Sequence, residues 1–194
     1  MNDDEMKSYF HVYLQRGRDA ALWKLDGLSE YDARRPLTAT GTNLLGLVKH
    51  LTYGEAWYFG NCFDRPFPEP LNEWIDDDAE PNGDMYARAD ESRDVIIERF
   101  KRACAHADET IAALPLDAVG FVPWWPADRA NATLSRLLIH VATESHRHAG
   151  HADILRETID GSAGVSSVNS NLPEVDDNYW PAYRERLEQI ARNA

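Results

Sequence analysis

From Thr133 to Ile159 the chain carries an apolar stripe at helical spacing, and a glutamate and a histidine, Glu144 and His148, lie inside it. At about 100° per residue, Glu144, Leu137, Val141, Ala152 and Leu155 all fall within about 40° of His148 on the helical wheel. Side chains four residues apart on a helix project from one face, one above the other. A carboxylate and an imidazole placed this way can grip one divalent cation. The stripe also predicts that Glu144 points at the core, where an unpartnered charge is costly. A metal would neutralise it. So would Arg147, about 60° away on the wheel and long enough to snorkel.

Three more stretches read as long helices. The first runs from Asp4 to Asp26, with Met6, Tyr9, Phe10, Tyr13, Leu14, Ala21 and Leu25 at helical spacing and Gly27 near its end. The second runs from Thr42 to Cys62, with Thr42 as N-cap. The third runs from Asp90 to Leu114 on the stripe Ile97, Phe100, Cys104, Ala107, Ile111 and Leu114, and Pro115 ends it. A Pro- and Asp-rich loop from Asp64 to Asp84 joins the second helix to the third, and loops of this length often carry function. A second loop holds Phe121-Val122-Pro123-Trp124-Trp125-Pro126, Gly161 to Asn171 reads as linker, and a short helix from Tyr179 to Arg192 closes the chain. No strand and no repeat is expected. The pattern predicts one all-α domain over residues 1–194: a four-helix bundle with a short additional C-terminal helix.

Composition narrows the function. The formal net charge is -13, from 33 acidic against 20 basic residues, which argues against a nucleic-acid backbone or an anionic membrane surface as partner. There is no run of 18 apolar residues to span a bilayer. The acidic start Met1-Asn2-Asp3-Asp4-Glu5 does not read as a secretory signal, and two cysteines make no disulfide framework. The expectation is a cytoplasmic protein with free thiols, a monomer or a homodimer.

A metal site needs a third ligand from a facing helix. His50, in Leu47-Val48-Lys49-His50-Leu51, is the best candidate; glycines at 46 and 54 would let another helix or a ligand come close. Two histidines and a glutamate with an open position match a catalytic zinc site. The alternative for His50 is a hydrogen-bonded core residue. His151 flanks the ligand face and is the candidate for orienting a ligand or carrying a proton; His140 lies to the same side, and His146 nearly opposite. Trp124 and Trp125 form either a wall of the pocket for cofactor and substrate or a plug for one end of the bundle. Glu55, about 140° from His50, reads as structural, an ion pair between helices. Cys62 is a weak nucleophile candidate, Cys104 a small core residue. The acidic run Asp76-Asp77-Asp78-Ala79-Glu80 is either a hard-cation site or a solvated loop.

Leu44-Leu45-Gly46-Leu47-Val48-Lys49-His50-Leu51, with Glu55 and Trp57 after it, resembles the second helix of the DinB/YfiT-like metalloenzyme family. Val122-Pro123-Trp124-Trp125 and the stretch from Glu144 to Gly161 resemble the branch that includes mycothiol-dependent maleylpyruvate isomerase. The resemblance covers about residues 5 to 192. It implies a DinB-like four-helix bundle with a divalent metal, usually zinc, on His50, Glu144 and His148; nickel, iron and manganese are the other candidates. It further implies a low-molecular-weight thiol such as mycothiol as cofactor and a small electrophile as substrate. No separate thiol-binding motif and no extra substrate domain accompany it, which argues against the isomerase activity itself. The resulting expectation is a metal-dependent thiol S-transferase. The alternatives are a metal-dependent hydrolase and a non-catalytic metal- or ligand-binding stress protein.

Overall fold

Each long helix of the main body begins at a polar side chain that satisfies one of the free backbone N–H groups of its first turn. Asn2 accepts from Glu5 N in a reciprocal capping box, Asn43 from Gly46 N, Ser92 from Val95 N and Thr133 from Arg136 N. The computed structural model describes residues 2–69, 71 and 80–194. Its helices are α1 (Asp3–Trp23), α2 (Glu30–Arg34), α3 (Leu44–Tyr58), α4 (Arg93–Ala113), α5 (Leu134–Asp160) and α6 (Tyr179–Arg192). The fold is all-α and DinB-like. Of the acidic run, Asp76, Asp77, Asp78 and Ala79 lie outside the described residues.

The caps correct the expected boundaries. The second long helix starts at Asn43 rather than Thr42, because the Asn43 side chain both caps Gly46 and donates to Met85 O at 3.2 Å. It ends at Tyr58, four residues short of Cys62, where the chain turns through Gly60 into the 3-10 turn Asn61–Phe63. Gly161, at φ 78°, stops α5. A short helix and a hairpin were not expected. α2 is a single capped turn, and β1 (Val119–Phe121) pairs antiparallel with β2 (Asn131–Thr133). Elements this short show no periodicity in sequence. Among the described residues no helix is long and apolar enough to cross a membrane.

α1 packs along α5, and α3 packs on both α4 and α5. One core cluster gathers Leu14, Phe59, Leu134, Leu137, Leu138 and Val141. A second gathers Leu25, Leu44, Leu47, Val48, Phe100 and Leu155. His148 falls between the two along α5. Gly17 lets α1 sit close on α5, since a Cβ there would stand 2.9 Å from Ser145 Cβ. The buried stripe of α4 is Ile96, Phe100, Ala103, Ala107, Thr110 and Ile111, so Ile97 and Cys104 flank the buried face and are only partly covered.

Buried ion pairs tie the helices together. Arg18 of α1 donates to both carboxylate oxygens of Glu55 on α3, at 2.8 and 2.7 Å, and to Asp108 of α4 at 2.7 Å. The interhelical ion pair expected for Glu55 is present. Arg156 of α5 donates to the carbonyls of Lys24 and Asp26, just past the C-terminal end of α1.

A further contact delivers a loop to α3. The segment Gly83–Met85, a 3-10 turn, lies against the first two turns of α3. A Cβ on Gly46 would stand 1.8 Å from Met85 O, a distance that requires the backbone to shift. Lys49 then secures the next stretch, donating to Tyr86 O at 3.1 Å and pairing with Glu91 at 2.7 Å. Gly46→Ala is therefore expected to push the turn off α3 and to cost about 1–3 kcal/mol, as overpacking does. A chemical denaturation midpoint equal to that of the wild type would show that the turn does not depend on Gly46.

Candidate metal and thiol site

α3 and α5 bring His50 and His148 together, with ring centroids 4.8 Å apart and the planes at 71°. One turn before His148 stands Glu144, whose Oε2 is 3.4 Å from His148 Nε2. His148 thus stands beside both His50 and Glu144. Among the described residues, however, no three or more His, Cys, Asp or Glu side chains are already grouped so that they could hold a metal ion.

The expectation that Glu144 is buried is corrected. Its side chain is 37% exposed, reaches the mouth of a cavity, and lies 3.7 Å from Arg147 Nη1. The helix is wide enough that a residue about 40° from the buried midline can still bend its carboxylate to the rim. Desolvation therefore does not demand a metal partner for Glu144. The buried member of the pair is His148.

His148 carries the strongest electrostatic signal. Burial, then the neighbouring His50, push its pKa down to about 4, against a smaller opposing pull from Glu144. The imidazole is neutral at pH 7, as a metal-binding histidine must be. Its Nδ1 is buried without a hydrogen-bond partner. Because the folded state takes up this proton less readily than the unfolded chain, stability rises with pH across the window between the two pKa values. In protein freed of metal, acidification from about pH 6.5 to about 4 is expected to remove up to about 3 kcal/mol through this residue. The slope of unfolding free energy against pH checks it, and His148→Gln should flatten that slope. Equal slopes would assign the acid sensitivity to other groups.

Asp84 escaped the sequence reading. It sits on the turn held by Gly46, and its Oδ2 is 2.6 Å from His50 Nδ1. Burial alone would raise the Asp84 carboxyl, but the hydrogen bond and charge of His50 prevail and hold it below its ordinary value. An ionised Asp84 accepts from the hydrogen on His50 Nδ1, so Nε2 is the nitrogen that could offer a lone pair to a metal. A carboxylate behind the imidazole is the usual partner of a ligating histidine. The only sequence signal was a position at the edge of a long loop.

A cavity of about 350 Å³ opens here, lined by residues including His50, Tyr53, Tyr58, Asp84, Trp124 and Glu144. Trp124 Nε1 donates to the Tyr58 hydroxyl at 3.2 Å, and that hydroxyl is 3.0 Å from His140 Nε2. Tyr58 can accept from Trp124 and donate to a neutral His140. Burial lowers the His140 pKa, Glu144 opposing. Trp125 packs edge-on to His140, 5.0 Å between centroids. His151 is exposed, with its ring edge-on to His148 at 5.4 Å, and His146 is exposed and bonded to Tyr13 O. Sequence spacing singled out His151; the fold instead puts His140 in the cavity wall.

Burial works against a thiolate at either cysteine. Cys62 is buried and pushed up to about 12 by that burial, and Cys104, beside Arg18 and Glu55, is raised by its own burial and by Glu55.

A family model described as "MST: Mycothiol-S-transferase" matches residues 9–161 of the chain. A search of the curated proteins finds no match. The matched span runs from within α1 to the end of α5 and contains every side chain of the candidate site, whereas α6 lies outside it.

Proposed function

We propose that this chain, which belongs to the mycothiol-S-transferase family, is an enzyme that joins a low-molecular-weight thiol, mycothiol by its family, to a small electrophile at a divalent metal held by His50, Glu144 and His148. The observation that carries this reading is the pairing of a buried, neutral His148, with Glu144 beside it, and a His50 whose Nδ1 is held by Asp84. Two imidazole nitrogens and one carboxylate oxygen are a donor set suited to zinc. Nickel, iron and manganese are the other metals that the set would accept. A divalent cation there would lower the pKa of a coordinated thiol, so that its thiolate is present at neutral pH.

The residues of the chain do the rest. Burial keeps His148 in the form that donates a lone pair. Asp84 aims His50. Glu144 offsets one of the two positive charges and, at the rim, leaves a path for the thiol proton to reach solvent. Trp124, Tyr58 and His140 make a wall of aromatic faces and one hydroxyl against which an electrophile can lie. In the transfer, the S–H bond is lost to solvent as a proton, a sulfur–carbon bond forms, and the leaving group departs with its electron pair. No cysteine of the chain competes as nucleophile.

The test is electrophile consumption by purified protein given mycothiol and monobromobimane, with zinc supplied and with zinc removed by chelation. Consumption above the uncatalysed rate should need both thiol and metal. A rate unaffected by metal removal would overturn the reading. Cleavage of simple esters or amides without any thiol would move the assignment to a hydrolase.

A further inference from the structure

A second and larger cavity, of about 510 Å³, lies on the other side of His140. His140 is common to both cavities. The β1–β2 hairpin loop supplies Trp125 and Arg129, and one face of α5 supplies Arg136, Ile139, His140 and Thr143, spaced three, four and seven residues along from Arg136. The loop is held by its own backbone: Val122 N donates to Ala130 O and Arg129 N to Pro126 O, both at 2.8 Å. The Arg136 guanidinium carbon lies 4.8 Å from the centre of the Trp125 ring.

The charge placement is unusual for this chain. Acidic residues outnumber basic ones by 33 to 20, yet among the described residues neither Arg129 nor Arg136 forms an ion pair. Most of the other arginines are spent on carboxylates or backbone carbonyls, as Arg18, Arg34, Arg93 and Arg156 are. Arg136 also lies in the first turn of α5, whose N-terminal end adds positive potential. Two guanidinium groups in one cavity with an indole, Arg136 against its ring, fit a planar anion: the fork of an arginine matches a carboxylate, and the ring supports the flat apolar part.

We infer that the cavity of Trp125, Arg129 and Arg136 binds a carboxylate-bearing substrate of the thiol transfer, with the carboxylate on the two arginines and its planar body on Trp125 and Ile139. His140 separates this cavity from the one that holds His50 and Glu144. The inference rests on the transferase reading for the reaction, but not for the binding. The carboxylate could belong to the electrophile or to the thiol, and the two sources separate by experiment.

The probes are 4-chloro-3-nitrobenzoate and its neutral amide as electrophiles, each run with neutral mycothiol and with mercaptoacetate. The proteins are wild type and Arg129→Gln/Arg136→Gln. If the electrophile carries the carboxylate, the double variant should raise the KM of the benzoate at least tenfold and leave that of the amide within about twofold. If the thiol carries it, the KM of mercaptoacetate should rise instead, with both electrophiles alike. Binding without turnover is read by quenching of tryptophan fluorescence when 4-chloro-3-nitrobenzoate is added with no thiol present. Quenching that saturates in the wild type and weakens tenfold in the double variant would uphold the cavity even if no electrophile were ever turned over. Circular dichroism should show both proteins equally folded, and Arg129→Lys/Arg136→Lys, which keeps the charge, should recover part of the binding. Benzoate binding and mercaptoacetate KM both unchanged in the glutamine variant would overturn the inference, as would equal affinity for benzoate and amide in the wild type together with an unchanged mercaptoacetate KM.

Discussion

Glu55→Ala is expected to destabilise the fold by about 3–5 kcal/mol, because it strands a buried guanidinium. Arg18 and Glu55 side chains are each only 1% exposed, and the two bonds between them are bidentate. Asp108, at the rim, satisfies only Nη1. Removing Glu55 leaves Nε and Nη2 of Arg18 without their acceptors in the place where α1, α3 and α4 meet. Replacing both partners with apolar residues of similar size, Arg18→Met with Glu55→Leu, should recover much of the loss, since no charge is then left unpaired. Denaturant titration of the wild type, both single variants and the double variant measures the coupling. A loss below about 1 kcal/mol in Glu55→Ala would mean that water reaches Arg18. Glu55 does not line the cavity beside His50, so metal uptake should survive wherever the variant folds.

The second large effect concerns the residues proposed as metal ligands. His50→Ala, Glu144→Ala and His148→Ala should each abolish stoichiometric metal uptake and with it thiol-dependent turnover. Asp84→Asn keeps the shape of the side chain but removes the charge behind His50, and should reduce metal affinity or turnover about 10–100-fold. His151→Ala should lower turnover more than metal content, because its ring touches that of His148 without entering the cavity. His146→Ala should change neither, since His146 points to Tyr13 O on the far side of α5. Metal content must be measured in each sample, as an empty site would mimic a chemical defect. Unchanged metal content in all three alanine variants would remove the site from α3 and α5.

The long helices were legible because their apolar residues recur over about four or more turns, and periodicity of that length averages out local exceptions. α2 and the β1–β2 hairpin were not, since a five-residue helix and three-residue strands carry too few positions to show a period. The helical wheel correctly set Glu144 and His148 on one face. It could not show that the Glu144 carboxylate bends to the rim, because a wheel places Cβ atoms and not the ends of side chains. Asp84 was illegible for another reason. Its approach to His50 depends on a missing Cβ at Gly46 and a cap at Asn43, which are contacts between segments about 40 residues apart. Gly46 was noted as a point of close approach, but nothing in the sequence said which segment would come near. His140 and His151 were nearly equivalent on the wheel. That His140 lines the cavity is set by Tyr58 and Trp125, which arrive from α3 and the hairpin loop.

Loading the metal-free protein with cobalt(II) and adding thiol is the most direct test of a metal-bound thiol at His50, Glu144 and His148. Cobalt is coloured where zinc is silent, and sulfur bound to it gives an intense near-ultraviolet charge-transfer band. The account predicts one cobalt per chain, a visible spectrum that changes when mycothiol is added, and a new charge-transfer band that saturates at one thiol per metal. His148→Ala should show neither the cobalt nor the band. A cobalt-loaded protein whose spectrum ignores saturating mycothiol, or one in which His148→Ala binds cobalt and thiol as well as the wild type does, would contradict it.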